Sequence, residues 1–394
     1  MRILWMTLEC ILPANTGGRI GVFKRLEQMT NRGHEVYLFF PYDSDIDEQG
    51  IQLLKKYCKQ VRPYRRKKTI PVLFNSLRYP YTVASRNIPN MKRDIQKCLD
   101  EEKIDIINVD FPHMLIDLVG LDLKGTPVIL NEHNVEWKFY RQISESATNK
   151  IKKFAYRFDA GRLKKYEEHI VKCINPSFVT FVSTDDKEYY SKWMGFKDKL
   201  ELIPVGADSR KKDDGINKNQ DGKIILFVGK MSAEPNIDAV TWFSKEVFPN
   251  IKKEMLDVKF YIVGRDPSDA IKKLASDSIT VIGGVESVEE YYTHADLVVL
   301  PLRYGGGVKI KLLEAISYKK PIVSTSIGVE GTLYKDGKTI PVADDEIKFS
   351  NLCVEMLNSG RGIDDAYCIF ERNYTWSSVG DKYENLFKKV GTNG

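Results

Sequence analysis

The sequence predicts an α/β protein of two Rossmann-like domains, each built on a parallel sheet, facing one another across a cleft. Three observations carry that expectation. Short β-rich runs alternate with helical stretches along all 394 residues, the pattern of strands joined by crossover helices. Most of the runs are nearly continuous Ile, Val, Leu and Phe, which suits parallel strands covered on both faces. Between two series of such runs lies GADSRKKDDGINKNQDGK (206–223), Gly- and Asp-rich and without apolar periodicity, which reads as a hinge. The expected organisation is a first domain over 1–205, a second over 206–375, and a last helical stretch in 376–394.

Taken in order, the first series is RILWMTL (2–8), EVYLFF (35–40), IDIINV (104–109), PVILNEH (127–133) and FVTFVS (178–183). The opening run has the outline of a secretion signal, but Glu9 interrupts it and no small-residue cleavage site follows, so it reads as a buried strand. The second series is KIILFVG (223–229), KFYIVG (259–264), ITVIGG (279–284), LVVLPL (297–302) and PIVSTS (321–326). Helical stretches fall between them, at 236–254, at 287–295 and from about Val308. The final helix, WSSVGDKYENLFKKV (376–390), places Val379, Tyr383 and Phe387 on one face.

Composition narrows the function. With 42% hydrophobic and 29% charged residues, the chain buries large cores without disulfide or metal staples. Six scattered cysteines with no C-x-x-C pair fit a reducing, cytoplasmic setting and argue against structural zinc. No apolar run reaches the length needed to span a membrane. The net charge of +6 is uneven, concentrated in KKYCKQVRPYRRKK (55–68) and in 137–165, where Lys and Arg alternate with Phe, Tyr and Trp. Such stretches are solvated helix faces or contacts with an anionic membrane surface or anionic acceptor. No nucleic-acid motif accompanies the charge.

In open α/β sheets, ligands bind beyond the carboxyl ends of the strands. Four strand ends hold candidate site residues. After the first strand, Gly17 and Gly18 precede a helix carrying Val22, Leu26 and Met29, and a helix start attracts anions. GGRIG lacks the G-x-G-x-x-G spacing of a dinucleotide site, which demotes NAD. In NEHNVEW (131–137), His133 stands at a strand end among Glu132, Asn134 and Glu136, without a second His to hold a metal. In FVGKMSAEPNID (227–238), Lys230 follows Gly229.

The fourth stretch, YGGGVKIKLLEAISYKK (304–320), is the most informative. A helix start has free N–H groups, and its dipole disfavours cations by about 0.3–1 kcal/mol each. Lys309 and Lys311 are badly placed there unless an anion lies among them. A diphosphate fits, taking hydrogen bonds from the backbone of Gly306, Gly307 and Val308 and charge from Lys311, with Lys309 beside it. Glu314 lies on an otherwise apolar helix. A buried carboxylate needs partners, which ribose hydroxyls or a structural cation supply. The D-x-D at 43–45 and the pairs Asp185-Asp186 and Asp213-Asp214 read as a solvated turn, a helix start and a linker.

These motifs resemble the retaining glycosyltransferases of the GT-B fold, the large group called family 4 or group 1. The likeness spans nearly the whole chain: the GG loop with RGHEVYLF, ILNEHNVEW, FVGKMSAEPNIDAV and, most specific, GGGVKIKLLEAISYKKPIVST. It implies sugar transfer from a nucleoside diphosphate sugar to a glycan or lipid-linked acceptor. No permanent cofactor and no metal are expected, nor a nucleic-acid partner. The implied setting is bacterial cell-surface polysaccharide or glycoconjugate synthesis, in the cytoplasm or peripherally at the inner face of an anionic membrane. By residue, it implies that Gly17 and Gly18 lie against donor phosphates or acceptor and that His133 contacts the transferred sugar, with Glu132, Asn134 and Glu136 on the acceptor side. Lys230 and Lys311 would neutralise the departing diphosphate, Glu314 would hold the ribose, and the last helix would cross back to the first domain.

Two positions depart from the family pattern. Gly306 stands where many members have the first Glu of Glu-x7-Glu, and Pro235 where many have a second phosphate lysine. The alternatives on the same fold are an epimerase, a phosphorylase, or a non-catalytic partner subunit.

Overall fold

A computed structural model describes residues 1–43, 48–66, 70–146, 149–210 and 222–391. Asp45 of the D-x-D, Asp213-Asp214, most of the expected hinge and the lysines at 67 and 68 lie outside the described residues. The chain divides into two units, Met1–Val205 with Trp376–Gly394, and Gly206–Thr375.

The first unit holds a seven-stranded sheet in the order β3-β2-β1-β4-β5-β6-β7. Its strands are β1 (Arg2–Met6), β2 (Glu35–Tyr42), β3 (Gln60–Arg65), β4 (Ile106–Asp110), β5 (Val128–Glu132), β6 (Phe178–Phe181) and β7 (Leu200–Leu202). Every pairing is parallel. The apolar runs do alternate between two cores: Leu4, Met6, Ile107 and Val109 enter one, and Ile3, Trp5, Ile106 and Ile129 the other. Both edge strands escape the apolar-run reading. QVRPYR is basic and carries a proline, which only an edge strand accepts, and LEL is three residues long.

Helix Gly17–Asn31 covers the second of those cores with Val22, Leu26 and Met29, and the C-terminal helix Trp376–Gly391 lays Val379, Tyr383 and Phe387 beside them. Polar contacts fasten the two helices at their rim. Arg32 donates to Asp381 (2.8 Å) and His34 meets Glu384 (2.5 Å).

The second unit has a five-stranded parallel sheet, β10-β9-β8-β11-β12. Its strands are β8 (Ile224–Val228), β9 (Lys259–Val263), β10 (Ile279–Ile282), β11 (Leu297–Leu300) and β12 (Ile322–Ser324). The helix expected over 236–254 is in three pieces: Glu234–Trp242, a π-helical turn Phe243–Val247, and Phe248–Glu254. Pro249 is the reason, because its ring has no N–H and collides with the carbonyl a turn earlier. In both sheets the strand order reverses beside the first strand of the unit, between β1 and β4 and between β8 and β11. The loops leaving those strands diverge there and leave a crevice, the usual place for a ligand.

Phe387 is fully buried on the C-terminal helix. Phe387→Ala is expected to destabilise the first unit by about 3–5 kcal/mol, measured by denaturant unfolding. A loss below about 1 kcal/mol would mean that this helix does not complete the core.

Candidate functional site

In the second unit the crevice is lined by the loops after β8 and β11. Gly229 closes β8, its N–H donating to the Val263 carbonyl (3.0 Å). A Cβ there would lie 2.8 Å from Lys311 Nζ and 2.9 Å from Asn236 Nδ2. Glycine is therefore what admits the lysine. Lys311 Nζ donates to Asn236 Oδ1 (2.7 Å) and lies 4.2 Å from the centroid of the Phe227 ring. Asn236 also donates to the Lys230 carbonyl (2.9 Å), so one amide ties the two strand-end loops together. Burial pushes the Lys311 ammonium down to about 7; Glu314 opposes the shift and Lys309 adds to it.

The helix itself begins at Ile310, two residues after the expected start, with Lys309 at its N-cap. Lys309 does not join Lys311 beside Asn236. Its ammonium turns back to the carbonyls of Gly305 (2.9 Å) and Gly307 (2.6 Å), with Glu330 at 3.7 Å. It holds the glycine loop from within. Gly305 (φ 118°) and Gly307 (φ 75°) take left-handed backbone conformations that disfavour a side chain. Pro235 packs 3.5 Å from where a Gly305 Cβ would be, so the residue that departs from the family pattern supports the loop. Lys230 is exposed at the end of β8.

Glu314 accepts a long hydrogen bond from the Tyr292 hydroxyl (3.4 Å). Burial raises its pKa; Tyr292, Lys311 and Arg210 act against that rise. Tyr292 stacks on Tyr318 at 4.7 Å, and the Arg210 guanidinium lies 5.7 Å from the Tyr318 ring. Asn236, Tyr292 and Arg210 were not legible as site residues. The nearest signal was an Asn close to the start of a helix that follows a strand.

In the first unit the crevice beside β1 and β4 holds His133, just past β5. Its Nε2 lies 3.0 Å from Asp110 Oδ1, which also accepts from Arg25 Nη2 (2.8 Å), while Asp110 Oδ2 accepts from Trp5 Nε1 (2.6 Å). Burial alone would raise the Asp110 pKa, but Arg25, His133 and Trp5 overcome it and hold the carboxylate at about 2. Burial lowers the His133 pKa despite the Asp110 hydrogen bond, so the ring is neutral at pH 7. The ring stacks at 4.3 Å on Phe111, which has an unusual φ of 70°. Arg25 Nη1 donates to the Tyr383 hydroxyl (2.6 Å), linking the site to the C-terminal helix. Asp110 and Arg25 were not singled out in the sequence, although a carboxylate ending an apolar strand and an arginine among Val22, Leu26 and Met29 were both visible.

Successive strand residues point to opposite faces, and this separates the acids of NEHNVEW from His133. The Glu132 side chain is buried on the other face. Burial, then Glu167, push its carboxyl well above its ordinary value, and the buried Glu167 carboxyl is its hydrogen-bonding neighbour. Glu136 is buried too, raised by burial to about 7 against the pull of Arg86 and a hydrogen bond from Asn134. Glu132 therefore faces away from the imidazole, and Glu136 opens the helix Glu136–Ser146 that follows. Gly17 and Gly18 are exposed, and a Cβ on either would meet nothing within 4 Å. Thr16 caps that helix by accepting from the Arg19 N–H (3.4 Å). Among the described residues, no three His, Cys, Asp or Glu side chains are grouped to hold a metal ion, and no helix is long and apolar enough to cross a membrane.

Two family models match the chain: Glycosyltransferase Family 4 over residues 17–211 and Glycosyl transferases group 1 over residues 222–359. A protein of Klebsiella pneumoniae, described as an uncharacterized 44.6 kDa protein in cps region, is 28% identical over 98% of this chain and 99% of its own. Among solved structures, a glycosyltransferase from Rickettsia africae superposes with a TM-score of 0.66 at 14% identity, over 100% of this chain and 99% of its own. HepE from Anabaena in complex with UDP gives 0.66 at 12% identity, over 99% and 100%. The lipopolysaccharide outer core galactosyltransferase WaaB gives 0.66 at 12%, over 99% and 100%. These likenesses establish the GT-B fold.

The Lys311 geometry carries a pH signature. The folded chain holds this proton less tightly than the unfolded chain. Between about pH 7 and 10.5 the unfolded state therefore binds more protons, and the destabilisation due to Lys311 fades as pH rises. Lys311→Met is expected to gain stability relative to the parent at pH 6 compared with pH 9, by on the order of a few kcal/mol. Denaturant unfolding at the two pH values measures it, and a pH-independent difference would show that the ammonium is not desolvated.

Proposed function

We propose that this chain, a glycosyltransferase of the GT-B type, moves a sugar from a nucleoside diphosphate sugar to an acceptor hydroxyl with retention of anomeric configuration. The observation that carries the reading is Lys311: a desolvated ammonium in the first turn of a helix, beside a glycine loop, at the strand-order reversal. Burial and the helix dipole both oppose a cation there. A diphosphate removes both penalties at once.

In the reaction, the bond from the sugar C1 to the diphosphate oxygen breaks and a bond from C1 to the acceptor oxygen forms. The acceptor's proton passes to the departing phosphate, so no protein base is required. Negative charge grows on the diphosphate as the bond lengthens. Lys311, the backbone at Gly306, Gly307 and Val308, and Lys230 from the β8 end stabilise that charge without reorganising. Glu314 accepts from the ribose hydroxyls, which replace the long bond from Tyr292. In the first unit, neutral His133 hydrogen-bonds the transferred sugar, its ring held by Asp110 and Phe111. The open space at Gly17 and Gly18 gives donor phosphate or acceptor an approach to the backbone. No step requires a metal.

The names of the relatives support a place in cell-surface polysaccharide or glycoconjugate synthesis. The acceptor is then a glycan or a lipid-linked sugar, met in the cytoplasm at the inner face of an anionic membrane.

A thermal-shift panel of UDP-, GDP-, ADP- and TDP-sugars tests the reading. The true donor at about 100 times its Kd adds roughly 2.7 kcal/mol of stability. With that donor, Lys311→Ala and Glu314→Ala are each expected to lower kcat/KM on the order of 100-fold, with donor hydrolysis as the readout. Unchanged kinetics in both would remove the site. Tight donor binding with neither transfer nor hydrolysis would make the chain a binding subunit.

A further inference from the structure

The first unit contains a second group of cations that the transfer chemistry does not use. Arg86 follows the short helix Tyr81–Ala84 and is largely buried. Its Nη1 donates to the Thr82 carbonyl (2.7 Å) and its Nε to the Leu8 carbonyl (3.5 Å). The carboxyls of Glu136 and Glu9 act on it only at longer range, since it forms no ion pair within 4 Å among the described residues. Arg66, at the end of β3, is close enough to be repelled by it. Burial and then Arg86 lower the Arg66 pKa to about 10. Arg66 pairs with Asp43, yet its Nε is buried without a partner. Other unmet polar groups lie around the pair: the Thr82 hydroxyl, Arg19 Nε and both ring nitrogens of His113 are buried without partners. Two guanidiniums near one another, with a buried donor left unmet after Asp43, Glu9 and Glu136 have acted on them, describe a place for an anion.

An apolar surface adjoins this place. Leu77, Ile151, Phe154 and Phe158 are between 60% and 81% exposed. They belong to helices Ile70–Arg78 and Lys150–Ile174. Arg162 joins the two helices. It donates to the carbonyls of Ser76 (2.7 Å), Leu77 (3.2 Å) and Tyr79 (2.7 Å) and lies 5.7 Å from the Phe158 ring. Tyr140 connects the patch to the cations, 6.4 Å from Tyr156 on one side and 6.5 Å from His113 on the other. Residues 149–165 carry seven cations against one acid. A phosphate next to a hydrocarbon chain matches both features. A neutral glycan uses neither.

We propose that Arg86 and Arg66 bind the phosphate of a lipid-linked acceptor whose hydrocarbon chain lies along Leu77, Phe154 and Phe158. Naming this ligand the acceptor rests on the glycosyl-transfer reading. The binding itself does not.

The test titrates farnesyl monophosphate, farnesol and inorganic phosphate into full-length Lys311→Ala protein by calorimetry, below the micelle concentration of the amphiphiles. The Lys311→Ala background removes the phosphate site of the second unit. Farnesyl monophosphate is expected to bind, and Arg86→Gln to weaken it at least tenfold. Arg66→Gln weakens it several-fold and Arg86→Lys retains most of the affinity, all with unchanged near-UV circular dichroism. Phe154→Ser with Phe158→Ser weakens farnesyl monophosphate but not inorganic phosphate. Equal binding by both arginine-to-glutamine variants and the parent would overturn the proposal, as would farnesol binding as tightly as its phosphate. So would phosphatidylglycerol vesicles that bind parent and arginine variants alike while farnesyl monophosphate does not bind, since the surface would then meet a bilayer and not a single phosphate. A failure of nucleotide-sugar turnover leaves these outcomes untouched, so the two readings fail separately.

Discussion

The second unit is organised around a cation held where its surroundings oppose it. Lys311 has lost most of its water and lies in the first turn of a helix. Its neighbours are an aromatic face, one amide oxygen and a carboxyl that burial itself raises. An ordinary buried ion pair would satisfy that charge inside the protein. Here the compensation is partial, and the remainder is available to an anion. Several other features follow from the lysine's position. A side chain at Gly229 would displace Lys311 and Asn236, Asn236 must reach across from the next helix, and β11 must turn through a loop tight enough to deliver the helix start.

The first unit meets the same problem with the opposite solution. Asp110 is fully buried at the corresponding reversal of strand order, and three donors complete its coordination: Arg25, His133 and Trp5. Breaking such a set leaves an uncompensated charge and costs several kcal/mol. The network is a fixed support, and His133 is the member at its edge. One unit therefore offers an unsatisfied charge suited to a ligand that brings its own. The other offers a neutral ring held rigidly by satisfied ones, suited to hydroxyl groups.

Much of this was legible in the sequence, and the gaps have physical causes. Ten strands are apolar runs because both faces of a parallel strand are buried. The two that were missed, β3 and β7, lack an apolar run: one is basic and carries a proline, and the other is three residues long. Lys311 was legible because a cation at a helix start contradicts the dipole. Lys309 makes the same contradiction in the sequence, but folding resolves it internally through the carbonyls of Gly305 and Gly307. Sequence spacing cannot tell the two lysines apart, since the difference lies in which way a flexible side chain turns. Glu132 and Glu136 were read as neighbours of His133 by proximity along the chain. Strand alternation puts Glu132 on the opposite face, and helical packing buries Glu136. Asp110 and Arg25 are 85 residues apart, and only the parallel crossover brings them together.

The departure at Gly306 can be argued from the same loop. Where relatives of the pattern present a carboxylate, this chain has no side chain. A carboxylate recognises a sugar hydroxyl through a flexible arm that must be ordered on binding. Here the loop backbone is already ordered by Lys309 from inside, by Pro235 beneath it, and by left-handed glycines on either side of Gly306. Amide groups held in that way lose little freedom on meeting a ligand and approach it more closely than a side chain permits. Recognition by the loop then depends on the Lys309 ammonium keeping its two carbonyl contacts. On this view the lysine that does not face the phosphate still determines whether the phosphate is bound.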